Sequence, residues 1–306
     1  MKLDNIDKEL LETVAELHQI PQGAYNIRKN GASIGRNSSA NITIENNGDN
    51  TGLNIVVKPN TKNESVHIPV ILSQSGMSEV VKNDFFIGDG CDVVIVAGCG
   101  IHNDGDATTA HNGVHSFFIG NDCNVTYIEK HYGEGKSNLN EMNPETCINI
   151  GDNSSFKMQT VQIGGINKAV RVTTAKLGKN SKLDINEKIM TEFEQSASTK
   201  FVCDIDGDGA SAHIVSRAVA KGNSVQQFKS ILNGNADCFG HTECDCIILD
   251  NAKVYADPEV NALNPNASLI HEAAIGKIAG EQIIKLMTLG LSETQAQEQI
   301  IKGFLR

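Results

Sequence analysis

The stretch IGDGCDVVIV, residues 87–96, joins an aliphatic residue, a tight polar turn, one small residue and then alternating apolar positions. The same form returns in IGNDCNVTYI (119–128), IGDNSSFKMQ (150–159), LGKNSKLDIN (177–186) and IDGDGASAHIV (205–215), and earlier in IGRNSSANITI (34–44). Counted between Gly88, Gly120, Gly151, Gly178 and Gly207, the interval is about 27–32 residues, enough for one coil of two strands and two turns. Repeats of that size stack into a solenoid, and the period does not match the strict hexads of a left-handed β-helix. The expected fold is therefore an all-β core, a right-handed parallel β-helix. The small residues after each turn, Cys91, Cys123, Ser154, Ser181 and Ala210, are expected to stack in its interior.

Helical patterns flank this core. Residues 4–19 place Ile6, Leu10, Val14 and Leu17 at helical spacing before the turn at Pro21, Gln22 and Gly23. From about residue 279 the apolar stripe Ile283, Ile284, Leu286 and Met287 runs to a stop at Gly290. A second helix opens on Ser292 with Gln295 three residues on, a capping-box pattern. The organisation read from the sequence is an N-terminal helix and turn at 1–22, a β-helix core at 23–270 and a C-terminal helical hairpin at 271–306.

Composition narrows the function. The 306 residues carry 26 basic and 37 acidic side chains, a net charge of −11, which disfavours nucleic acid and anionic membrane surfaces as partners. No apolar run approaches the ~20 residues of a membrane span, and the opening MKLDNIDKELLETVAEL lacks the apolar centre of a signal peptide. The expected location is the cytoplasm, where the eight cysteines stay reduced.

Some motifs fail on inspection. Gly135, Lys136 and Ser137 resemble the tail of a phosphate loop, but Lys130 stands where the first glycine belongs. The run DIDGDG at 204–209 begins like a calcium loop, yet its twelfth position is Val215. His102, His111 and His115 are expected in a solvated loop because Gly113 interrupts them, whereas Glu129 and His131, two apart, would share one strand face.

One constellation carries chemistry. In GHTECDCIILD, 240–250, strand alternation puts Cys244 and Cys246 on one side. About 25 residues later come His271 and Glu272 in ASLIHEAAIGKI. Thiolate, imidazole and carboxylate together form a mixed, labile set for a soft metal or a metal–sulfur unit.

The segments GAYNIRKNG (23–31), HTECDCIILD (241–250), HEAAIGKIAGEQ (271–282) through LMTLGLSETQA (286–296), and IIKGF (300–304) together resemble the SufB/SufD family of iron–sulfur cluster assembly scaffolds. The resemblance implies a right-handed parallel β-helix with a helical C-terminal domain, dimerisation through the β-helix, and docking of a SufC-like ABC ATPase on the C-terminal helices. It makes the chain a scaffold and not an enzyme, with ATP hydrolysis in the partner. By motif, the family's cluster ligands fall on Cys244, His271 and Glu272, with Cys246 an additional thiol where the family usually has Ser. Cys99, in VIVAGCGIH, matches the cysteine associated with sulfur arrival. The implied cofactor is a transient iron–sulfur cluster, and the implied partners are a cysteine desulfurase or other sulfur donor and apo iron–sulfur proteins. The chain is shorter than typical members and has Leu289 where Arg is usual, so a compact form acting as a homodimer is expected. Competing readings are a structural ATPase adaptor without its own cluster and a polysaccharide-binding β-helix.

Overall fold

The computed structural model describes residues 3–48 and 51–306. Among these, two ten-stranded sheets wind into a mostly parallel β-solenoid of about eight turns. The first sheet stacks Ala32–Asn37, Ala24–Lys29, Lys62–Leu72, Asp92–His102, Asn124–Glu134, Ser155–Ile163, Lys182–Thr191, Ser211–Ala220, Phe239–Ile248 and Ser268–Gly276. The second runs from Ile42–Asn46 through Gly52–Val57, Ser78–Ile87, Thr109–Ile119, Lys168–Leu177, Ser196–Ile205 and Val225–Gly234 to Lys253–Ala262, with Asn140–Met142 and Glu145–Ile150 sharing one rung. Pairing is parallel throughout except at the first rungs, where Ala24–Lys29 and Gly52–Val57 each meet a hairpin partner.

The turn signature has a direct cause. Gly90, Asp122, Asn153, Asn180 and Gly209 occupy equivalent places in successive repeats, and all have positive φ, between 53° and 74°. Glycine, Asn and Asp tolerate that conformation, so the repeat admits little else there. The preceding side chain then ties coil to coil: Asp89 Oδ1 accepts from Asn121 N (2.7 Å), Asn121 Oδ1 from Asp152 N (2.8 Å), and Asp152 Oδ1 from Lys179 N (2.8 Å). Inside, Phe85, Phe117, Tyr127, Phe156 and Phe201 are fully buried among aliphatics, and Cys91 and Cys123 sit in the same core as the repeat implied.

Helix α1 (Asn5–Ala15) begins at a capping box formed by Asp4 and Asp7 and lies on the outer face of the first sheet. It docks over Gly98 and Gly100, where a Cβ would meet Val14 O at 2.6 Å and Leu10 Cβ at 3.0 Å. Buried Asp7 pairs with Lys29, and Glu16 pairs with Lys130. At the other end, α2 (Gly280–Met287) and α3 (Glu293–Phe304) pack on each other, with Ser292 and Gln295 forming the expected cap.

Two expectations need correction. The solenoid does not stop at residue 270: Ser268–Gly276 completes the last coil in register with Phe239–Ile248, so His271 and Glu272 are strand residues and the helical hairpin starts at Gly280. His111 and His115 are not in a solvated loop. Both are buried on Thr109–Ile119, and Gly113 between them points inward, where a Cβ would approach His111 Nε2 at 3.0 Å and His115 Nε2 at 3.7 Å. The glycine makes room for two imidazoles instead of breaking the strand.

Candidate functional site

Parallel, in-register pairing stacks residues of the same inward phase into columns. One column of the first sheet reads Ala97, Glu129, Thr160, Glu187, Ser216, Cys244 and Ala273. The next reads Cys99, His131, Gln162, Ile189, Ala218, Cys246 and Ile275. Cys99 and Cys246 are thus five rungs apart in one column, about 24 Å at ~4.8 Å per rung. Cys244 lies beside Cys246 in the neighbouring column, and both thiols face the interior.

Charged and hydroxyl groups fill the space between. Arg171, reaching across from the second sheet, donates to Glu129 Oε2 at 2.7 Å and His131 Nδ1 at 3.3 Å, with Glu187 Oε1 3.8 Å from its Nε. Tyr127 donates to Glu129 Oε1 (2.9 Å) and so accepts from His115 Nδ1 (2.6 Å), which leaves His115 Nε2 to accept from Asn83 at 3.4 Å. Thr199 and Ser216 donate to the two oxygens of Glu187, at 3.0 and 2.7 Å. A void of about 10 Å³, close to one water, lies among Glu187, Thr199, Ser216 and Cys244. Burial alone would raise the Glu129 carboxyl, but Arg171 and His131 hold it well below its usual range. Glu187, more weakly compensated, is raised by its burial.

These surroundings set the thiols. Cys244 is 1% exposed, and burial, then the Glu187 and Asp245 charges, push it up to about 12. Cys246 is pushed up to about 12 by burial and by Cys244. Cys99 rises well above the usual thiol range from burial, Glu79 and Glu129. All three are protonated at neutral pH, so metal or sulfur chemistry at any of them must expel a proton.

The expected ligand set divides between two faces. His271 aligns with Thr242 and points inward with the thiols, its Nδ1 buried without a hydrogen-bond partner. Glu272 aligns with Glu243, points outward and is 67% exposed, on the opposite side of the sheet from Cys244. Within one chain the structure brings together Cys244, Cys246 and the His271 column, not Glu272. It brings Glu272 instead to His241 and Glu243, which the sequence reading did not single out. The signal was present: alternation in HTECDC that sends both cysteines in sends His241, Glu243 and Asp245 out. Arg171 and Glu187 were missed as well, although each occupies an inward position of a strand, where a charge demands a partner.

The thiols end near an uncovered rim. Ser268–Gly276 pairs on one edge only, as does Lys253–Ala262, and Leu263, Tyr255, Val260, Ile270 and Ile275 are exposed around them. On α2, Ile284 and Met287 are exposed, as is Leu289 just beyond it. Among the described residues no helix is long and apolar enough to cross a membrane.

A parallel β-coil stack with two buried thiols one rung from its uncovered end defines a class of protein, and comparison with known proteins identifies the family. Residues 70–304 match the model of the family described as SUF system FeS cluster assembly, SufBD core domain, and the chain belongs to that family. Similar proteins include an iron–sulfur cluster assembly SufBD family protein of Archaeoglobus fulgidus, 27% identical over 226 residues, covering 74% of this chain and 60% of the relative. One of Methanothermobacter thermautotrophicus (strain Winter) is 26% identical over 239 residues (77% and 57%), and one of Methanocaldococcus jannaschii is 26% identical over 257 residues (82% and 79%). The chain spans 57–60% of the length of the first two relatives.

Proposed function

We propose that the chain is a scaffold subunit for iron–sulfur cluster assembly and transfer, with Cys244 the principal cluster thiolate and Cys246 in support. The observation that carries this reading is the position of the two thiols: they are the last cysteines of two interior columns, on the same face as His271, one rung inside the rim where the coil stack is uncovered. A second copy meeting that rim edge to edge would pair the free strands, cover the exposed apolar side chains and bring the interior columns of the two copies, with their His271 and Cys244, into line. The functional unit in this reading is a homodimer. An ABC-type, SufC-like ATPase docks on the exposed apolar face of α2 and the turn after it. Cys99 is the point where sulfur arrives from a cysteine desulfurase or another donor. It is closed off on the outside by α1 over Gly98 and Gly100, so α1 must lift for a donor to reach it from that side. Apo iron–sulfur proteins receive the product.

Anaerobic reconstitution with ferrous iron and sulfide, followed by absorption and Mössbauer spectroscopy, tests this. Cys244→Ser should lose the stable cluster while circular dichroism and oligomeric state stay unchanged, and Cys246→Ser should lose less. Wild-type iron and sulfide content in Cys244→Ser would remove the assignment. A wild-type protein that binds the ATPase but never holds a cluster would establish the adaptor reading, which the deep burial of the thiols favours.

A further inference from the structure

The outer face of the same strands holds a group of side chains that the thiol chemistry leaves unexplained. Glu243 and Glu272 stand directly side by side on adjacent parallel strands, and His241 precedes Glu243 by two residues on the same face. One ligand atom from each of the three lies within 4.8 Å of the other two. His241 Nε2 is 3.4 Å from Glu272 Oε2, and His213 stacks on the His241 ring at 5.1 Å between centroids, one strand further in. Like charges directly opposite one another on a sheet repel. Among the described residues no lysine or arginine lies within ion-pair distance of either carboxylate; Glu243 hydrogen-bonds Asp245, and Arg217, two residues along beside Asp245, attracts Glu243 from further away. The second anomaly is His241 itself: its Nε2 is shielded from solvent and makes no well-formed hydrogen bond, its contact with Glu272 Oε2 being long, although the side chain as a whole is 19% exposed. A shielded imidazole nitrogen facing two carboxylates on one sheet face is an arrangement that a bound cation would satisfy.

We propose that His241, Glu243 and Glu272 form a mononuclear binding site for a divalent transition-metal ion, ferrous iron in the assembling protein. An imidazole nitrogen and two carboxylate oxygens suit Fe²⁺, Mn²⁺ and Zn²⁺ and do not suit Cu(I). The dication cancels the two carboxylate charges. Glu272, exposed and free to swing, closes the set around the ion, and the remaining coordination positions face solvent, so the ion can arrive and leave. The existence of the site does not depend on the proposed assembly function. Its use does: it would hold iron on the outer face of the strand whose inner face carries Cys244, the next residue after Glu243.

Anaerobic titration of the full chain with Co²⁺ as the spectroscopic probe, and separately with Fe²⁺ by equilibrium dialysis, tests the proposal. One equivalent should bind with ligand-field bands and no thiolate charge-transfer band, and the spectrum should persist in Cys244→Ser/Cys246→Ser. Glu243→Gln and Glu272→Gln should each weaken binding at least tenfold, with circular dichroism and thermal midpoint confirming that both variants fold. Cobalt bound with a thiolate band that vanishes in Cys244→Ser, or affinity unchanged in both glutamine variants, overturns the site. Cluster reconstitution on the same samples separates the two readings. Cobalt bound here by a protein that never assembles a cluster sustains this site and removes the assembly function. Cluster assembly with no cobalt bound here does the reverse.

Discussion

Replacing Arg171 with Met should cost roughly 3–5 kcal/mol at pH 7, the usual penalty for removing one partner of a buried ion pair. Among the described residues Arg171 is the only basic group in contact with both Glu129 and Glu187, at 2.7 and 3.8 Å, and all three side chains are almost wholly buried. Without it, Glu129 keeps the Tyr127 hydroxyl and the smaller electrostatic help of His131, and Glu187 keeps only the Thr199 and Ser216 hydroxyls, which solvate a carboxylate but do not cancel its charge. The pH dependence gives a sharper test. In the wild type the folded-state pKa of Glu129 is depressed, so its contribution is present above the unfolded value near 4.5 and is lost as pH falls. In Arg171→Met that pKa rises above the unfolded value, so the contribution reverses and is lost as pH rises. The penalty should therefore shrink on acidification, by about 2 kcal/mol between pH 7 and 5.5 for one carboxyl at ~1.36 kcal/mol per unit. Urea unfolding followed by far-ultraviolet circular dichroism at both pH values measures it, and Arg171→Met/Glu129→Gln should recover most of the loss. A penalty below ~1 kcal/mol, or one equal at the two pH values, would refute the argument that Arg171 holds the interior carboxylates ionised.

Four other outcomes follow from the same structure. Burial lowers His115 to about 4 and His111 to about 3, so both are buried neutral; stability present above ~6.5 should be lost as pH falls through those values, about 2 kcal/mol each by pH 5, and His115→Asn should remove one proton from the pH slope of the urea midpoint. Gly98→Ala places a Cβ 2.6 Å from Val14 O and 2.7 Å from Lys130 O, and should cost ~1–3 kcal/mol or displace α1, seen as faster proteolysis of the N-terminal segment. With both distal thiols pushed up to about 12, alkylation of Cys244 in a Cys246→Ser background should accelerate close to tenfold per pH unit between 7 and 9, and a plateau below pH 8 would show an activated thiolate instead. Deleting residues 280–306 should abolish co-purification with an ABC-type ATPase while the β-sheet spectrum persists; undiminished binding would move the docking surface elsewhere.

The coil architecture was legible because a positive-φ corner recurs once per turn and only a few residue types accept it, so Gly90, Asp122, Asn153, Asn180 and Gly209 mark the period. That Cys244 and Cys246 share one strand face, as do Glu129 and His131, followed from strand alternation, and the structure shows that face to be the interior. What alternation within one strand cannot give is which residue of another coil shares its column. That depends on the accumulated length of every turn in between, so the alignment of Cys99 with Cys246 and the reach of Arg171 into the first sheet appeared only in three dimensions. Gly113 misled for a related reason. A glycine at an inward position reads as a break until the bulk of its neighbours, here His111 and His115, is known.

The two faces of the last paired strands make opposite chemical demands, and the HTECDC sequence meets both. Inward positions receive no solvent, so they take thiols that rest protonated and become ligands only when a metal displaces the proton. Outward positions border water, so they accept the polar side chains of His241, Glu243 and Glu272. Because a strand cannot turn one residue from one face to the other without slipping the register of the whole rung, Glu272 cannot reach its own chain's Cys244 while Ser268–Gly276 stays paired with Phe239–Ile248. A ligand set that used both within one chain would need that last strand to leave its rung.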